Sequence, residues 1–251
     1  MNAIELGILL PAFIAGLLVL ATHIPFGMKV LERGVIFADL AVAQIAGLGV
    51  IIAALLNLSD QPLLVQLIAA ASALCGAALL AWIESSLDEV KEACIGLTFV
   101  LAASGGILLM SRDVHAGEHL KDLLVGQILW VSSNQLIATA LLTAILLALW
   151  QWTQLRTRNL GFYGLFALAV TASVQLVGVY LVFASLIVPA LATYRIKQHR
   201  ALHAFAVGIS GYAGGLLLSA WFDLPSGATV VWAMAATGIL TAWWLNARKT
   251  G

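Results

Sequence analysis

Charge is what this chain has least of. Only 10% of its 251 residues are Asp, Glu, Lys or Arg, against roughly a quarter in an ordinary soluble domain, and 62% are hydrophobic. With a mean hydropathy of +1.03, a water-soluble globular domain is excluded. Cysteine is nearly absent as well. Cys75 and Cys94 sit in separate apolar runs with no pairing or CxxC spacing, which argues against a disulfide framework or zinc knuckle and for buried packing. The segment Met1-Asn2-Ala3-Ile4-Glu5 has no basic n-region and no cleavage-like site follows the first apolar run, so the first helix is expected to stay. No GxxxxGK[ST] phosphate loop occurs, and nothing here cradles a nucleotide. Linkers, low-complexity tracts and internal repeats are missing, so residues 1–251 read as a single membrane domain. No nucleic-acid partner is expected.

Long apolar runs are what remain. A helix needs about 20 residues to cross about 30 Å of hydrocarbon, and these runs lack the alternation of a membrane barrel, so the fold class is all-α and polytopic. Spans are expected at Leu6–Ala21, Phe37–Leu56, Leu63–Ile83, Ala93–Met110, Leu136–Trp152, Leu160–Val177, Val179–Tyr194, Leu202–Phe222 and Ala228–Leu245. That makes nine, with a break at Gly178, or eight if Leu160–Tyr194 is one long span plus a re-entrant piece. Leu123–Val131 is too short to cross and reads as a re-entrant or half-buried outer helix.

Of the 12 Lys and Arg residues, a topology with the N-terminus outside puts ten inside: Lys29, Arg33, Lys91, Arg156, Arg158, Arg195, Lys197, Arg200, Arg248 and Lys249. Arg112 and Lys121 fall outside. The positive-inside rule favours this orientation, which leaves the C-terminus cytoplasmic. Tryptophans near the span ends, such as Trp82, Trp130, Trp221 and Trp243, suit interfacial anchoring. Gly105, Gly106, Gly211, Gly214 and Gly215 would let backbones pack closely.

Two segments carry most of the information. From Val179 to Arg195 an apolar run collapses at Pro189 into a basic segment, and Phe222 to Val231 places a polar break between two apolar runs. With Val30–Asp39, Glu92–Leu97, Gly126–Ser132, Val177–Ala192 and Asp223–Gly227 in this order, nearly the whole chain resembles the membrane (permease) subunit of the zinc/manganese-uptake ABC transporter family. One such stretch is weak, but five in order are specific.

The resemblance implies a homodimer in the bacterial inner membrane that imports a divalent metal ion. The ion would be handed over by a periplasmic or lipoprotein metal-binding protein, and ATP would be bound and hydrolysed only on a separate ATPase subunit. No permanently bound cofactor is implied. Ala190–Arg200 would form the cytoplasmic coupling helix in a cleft of the ATPase, with Pro189, Arg195, Lys197 and Arg200 as its functional residues. Asp223, Pro225, Ser226 and Gly227 would face the binding protein.

One departure stands out. The family typically places a histidine four residues after the aspartate of the second span, as paired ligands on one helical face. Here that position is Ala43. Gln44 lies about 140° round an ideal helix from Asp39, and an amide is a poor zinc ligand. Either the helix carries a one-residue bulge or the ligand set has changed. Asp39 is the leading residue for the ion's route, the alternative being an interfacial pair with Arg33 or Lys29.

A second cluster, Asp113-Val114-His115-Ala116-Gly117-Glu118-His119, falls outside by this topology. His115, Glu118 and His119 match the HxxEH zinc-ligand spacing, and the segment reads as a metal-entry or docking site or as a solvated polar loop. His23, His199 and His203 are isolated and read as interfacial or coupling-region residues. The expected function is transport without chemistry by the chain itself, through alternating access. A siderophore or corrinoid permease, a membrane metalloprotease built on HxxEH and a passive structural protein are the alternatives.

Overall fold

The computed structural model describes residues 3–56, 58, 60–110, 126–152 and 158–247. These residues contain no strand and form nine α-helices: α1 (Ala3–Arg33), α2 (Ala38–Leu55), α3 (Pro62–Ser86), α4 (Lys91–Met110), α5 (Ser133–Trp152), α6 (Asn159–Val177), α7 (Val179–Ala192), α8 (Arg200–Phe222) and α9 (Ser226–Ala247). Single 3-10 turns lie at Asp88–Val90 and Ile128–Trp130. Eight helices are long and apolar enough to cross a membrane. The ninth, α7, has 14 residues, about 21 Å at 1.5 Å each, which is short of a bilayer core. The protein is a multi-pass helical membrane protein.

Helix boundaries follow local chemistry. Pro62 opens α3 at a position where its missing N–H costs nothing. At the start of α5, Ser132 and Gln135 form a reciprocal capping box: Ser132 N–H donates to Gln135 Oε1 at 2.9 Å, and Gln135 N–H donates to Ser132 Oγ at 3.3 Å. The break between α6 and α7 falls at Gly178, as the sequence suggests, with φ at +80°, a conformation that disfavours any Cβ. Gly126 packs its backbone directly on Val177 and Gly178, leaving no room for a side chain there.

Three expectations need correction. α1 runs 31 residues to Arg33 instead of ending near Ala21, because Pro25 sits inside the helix and does not stop it. In a membrane protein, neighbouring helices and polar side chains re-satisfy the groups a proline frees. The expected outer helix at Leu123–Val131 is only the 3-10 turn Ile128–Trp130 among the described residues. Cys75 lies exposed on α3, not buried, and Cys94 is half-buried; both are free thiols. A thiol on an apolar helix surface suits hydrocarbon as well as a protein core does.

The chain divides into two compact units. The first comprises Met1–Arg33, Leu124–Thr143 and Gln175–Gly251. Within it α1 packs against α7 and α8, and α9 against α8 and α7. Backbones meet closely here: Gly27 lies on the Leu186 carbonyl, and Gly215 on Val230. Ser185 and Tyr212 join α7 to α8 through a buried 2.9 Å hydrogen bond. The second unit comprises Gly34–Leu123 and Ala144–Val174, with α2 packed on α3 and α4. On α6, Phe162 stacks on Phe166 at 5.6 Å between ring centroids, with Trp150 at 6.2 Å from Phe162.

A Cβ at position 211 would stand 2.7 Å from Met234 Cα, whereas one at position 214 meets nothing within 4 Å. Gly211→Ala should therefore cost about 1–3 kcal/mol by overpacking. Gly214→Ala should be neutral or stabilising by up to ~1 kcal/mol, from helix propensity. Thermal unfolding of the two purified variants in detergent distinguishes them.

Candidate functional site

The N-terminal turn of α2 carries the one carboxylate that is almost wholly buried among the described residues. Gly34, with φ at +67°, turns the chain after α1, and Ala38 N–H donates to Val35 O at 3.1 Å to start α2. Asp39 follows in the first turn, only 1% exposed. Its own N–H and that of Leu40 face the carboxylate, while Oδ1 is buried and accepts no hydrogen bond. Asp39 makes no ion pair among the described residues, and Lys29 pairs instead with Glu32 at 3.1 Å. A carboxylate held this way is expensive to bury, by about 2.5–3.5 kcal/mol on insertion scales, and an incoming cation would relieve that cost.

α2 is α-helical from Ala38 to Leu55 without a bulge, so Gln44 does not come round to the face of Asp39. Ala43, on that face, is buried and has no ligating atom. Asp113, His115, Glu118 and His119 lie outside the described residues. No group of three or more potential metal ligands forms among the described residues.

His23 lies inside α1 and not beyond the end of a span. It is fully buried in the middle of α1, its Nδ1 3.0 Å from the Val19 carbonyl oxygen and 3.0 Å from Thr22 Oγ1, with Nε2 unpartnered. An uninterrupted helix through Pro25 keeps position 23 within α1, whereas a reading that ends the span at Ala21 leaves it outside.

The basic segment after Pro189 also differs from expectation. Pro189 lies within α7, which ends at Ala192, and residues 193–199 form a turn and an irregular link before α8 begins at Arg200. The expected coupling helix Ala190–Arg200 is therefore not a helix of its own. Thr193 donates its hydroxyl to Pro189 O at 2.7 Å across the last turn of α7, and Ile196 N–H donates to Thr193 O at 3.0 Å in the turn that follows. His199, with φ at +54°, sets the start of α8, and its carbonyl oxygen stands 3.0 Å from His203 Nδ1.

The three cations of this segment divide into two kinds. Arg195 and Lys197 are exposed. Arg200 is half-buried and turned inward: Nη2 donates to Ala190 O at 3.3 Å, Nη1 stands 4.0 Å from Glu32, and the guanidinium lies 5.8 Å from the Tyr194 ring centroid. These contacts tie the link to the end of α1 within the same unit, a role that spacing alone does not reveal.

Between α8 and α9 the chain reverses in a tight link. Asp223 adopts a left-handed conformation at φ +51°, Ser219 donates its hydroxyl to Leu224 O at 2.7 Å, and Thr229 Oγ1 donates to Pro225 O at 2.8 Å. Asp223 and Pro225 are exposed, Ser226 opens α9 and Gly227 is buried. Trp221, Phe222 and Leu224 surround the link with exposed apolar surface.

The chain resembles proteins of known description. It is 28% identical over 172 residues to the "Probable iron transport system membrane protein" of Haemophilus influenzae, covering 59% of this chain and 63% of that protein. It is 29% identical over 175 residues to the "Uncharacterized membrane protein in ycf23-apcF intergenic region" of Cyanophora paradoxa, covering 60% and 58%. The chain thus spans about three fifths of the length of these curated relatives. Among solved structures, PsaBC from Streptococcus pneumoniae in complex with Fab superposes with a TM-score of 0.69 at 21% identity, covering 93% of this chain and 89% of that one, which shows a shared fold. A family match over residues 5–157 and 153–245 takes in almost the entire sequence, and the chain belongs to the ABC 3 transport family.

Proposed function

We propose that this chain is the membrane-spanning permease subunit of an ABC importer for a divalent metal ion of the zinc or manganese class. It works as a homodimer in the bacterial inner membrane by alternating access. The observation that carries the reading is Asp39, a buried carboxylate with an oxygen that no protein group engages, at the start of a membrane-length helix. Membership of a transport family supports it, and the name of the Haemophilus relative extends the cargo class to iron. An apolar channel for a siderophore would have no use for such a group.

In this reading the chain performs no chemistry. A carboxylate replaces part of the ion's hydration shell, and the contact must stay weak enough to release the ion on the far side. With no phosphate loop in the sequence, ATP acts on a separate subunit, docked at the exposed Arg195 and Lys197. A periplasmic or lipoprotein metal-binding protein delivers the ion at the Asp223–Gly227 link, and His115, Glu118 and His119 serve as an entry site.

Orientation is the requirement that an importer cannot violate. Single cysteines at positions 198 and 226, introduced after replacing Cys75 and Cys94, should react oppositely with an impermeant thiol reagent in intact cells: 226 labelled, 198 protected. Strong labelling at 198 with none at 226 would reverse the topology and sink the importer reading.

A further inference from the structure

α2 begins at a residue unable to cap it. Helix starts leave their first N–H groups without intrahelical partners, and Ser, Thr, Asp or Asn at the N-cap normally supplies an acceptor. Here the N-cap is Phe37, and no N-cap side chain fills that role. The acceptor comes from 55 residues along the chain: Glu92, the second residue of α4, takes the Phe37 N–H on Oε1 at 3.1 Å, and the Ile36 N–H faces the same carboxylate.

The donors at this helix end can then be counted. Phe37 N–H goes to Glu92, Ala38 N–H goes to Val35 O, and the N–H groups of Asp39 and Leu40 face the Asp39 carboxylate. Glu92 and Asp39 therefore share one turn of backbone, both within the second unit. The neighbouring Lys91 pairs with Asp88 at 2.7 Å and acts on Glu92 only through its field, so the hydrogen bonds of the Glu92 carboxylate come from the amides that lead into α2, with Oε2 buried and accepting none. A first turn that loses its cap frays, and each residue that unwinds turns the following side chains by about 100°. Asp39, two positions beyond Phe37, lies inside the turn that would fray.

We infer that Glu92 is a positioning residue for ion transfer: by capping α2 from α4 it holds the first turn and so aims the Asp39 carboxylate. This rests on the proposed role of Asp39 in the ion's route.

Glu92→Gln keeps an oxygen acceptor at the same reach, whereas Glu92→Met keeps the length and removes the acceptor. Radiometal uptake is measured per mole of folded permease in the assembled transporter, with Asp39→Asn assayed beside them. Glu92→Gln should transport within about twofold of wild type, while Glu92→Met should lose about tenfold or more of the maximal rate, since small displacements of a working group cost that much. Equal loss in both variants would mean that the charge itself contacts the ion and would overturn a capping role. Wild-type transport by Glu92→Met, or its failure to insert at all, would overturn the inference too, the latter because the bond would then serve the whole fold. If Asp39→Asn transports normally, the reading of the route fails; if it is impaired while Glu92→Met is normal, only the present inference fails.

Discussion

Asp39→Asn should lower metal uptake by about ten- to a hundredfold, equivalent to ~1.4–2.8 kcal/mol of lost interaction with the ion, while the protein accumulates normally. The substitution preserves size and keeps one oxygen acceptor, but removes the charge that draws a dication. Because Asn keeps one oxygen acceptor for the amides at the start of α2, while a buried charge with no ion pair among the described residues is removed, the replacement should leave thermal stability unchanged or raise it. Loss of transport with equal or greater stability is the signature of a group kept for function. Unimpaired uptake by Asp39→Asn would reduce Asp39 to a structural residue.

The second large effect concerns the link between α7 and α8. Reversing charge at Arg195 and Lys197 should abolish metal-stimulated ATP hydrolysis by the reconstituted complex while leaving the permease folded, since exposed substitutions rarely cost more than about 0.5 kcal/mol. Both side chains project from an irregular segment, residues 193–199, held at each end by helix. Arg200 provides the contrast. Its guanidinium is already committed to Ala190 O and the neighbourhood of Glu32, so its loss should loosen the link and lower stability more than it removes a docking charge. Wild-type ATPase stimulation with a verified double reversal would take the coupling role away from this segment.

Span positions were legible because hydrocarbon imposes a single rule, a long apolar run, and the break at Gly178 because only glycine holds φ at +80° easily. The end of α1 was not, since whether Pro25 stops a helix depends on neighbours that sequence does not show. The coupling helix was misread for a similar reason: the chain leaves α7 through hydrogen bonds of Thr193 that no periodicity encodes. Asp39 stood out as an aspartate in an apolar run, but its partner at the helix end did not. The available signal was a missing one, a helix starting at Phe37 with no N-cap residue of its own, which implies an acceptor from elsewhere. His23 shows the opposite case, a polar residue whose burial depends entirely on how far α1 continues.

The central claim, a metal permease driven from outside its own chain, is tested most directly in proteoliposomes rebuilt from this chain, its ATPase subunit and its metal-binding protein. Radiometal should accumulate against its gradient only with hydrolysable ATP and all three components present, and should fall to a small fraction with Asp39→Asn. Accumulation without the ATPase, or no accumulation of any divalent ion by the complete and folded assembly, would contradict it.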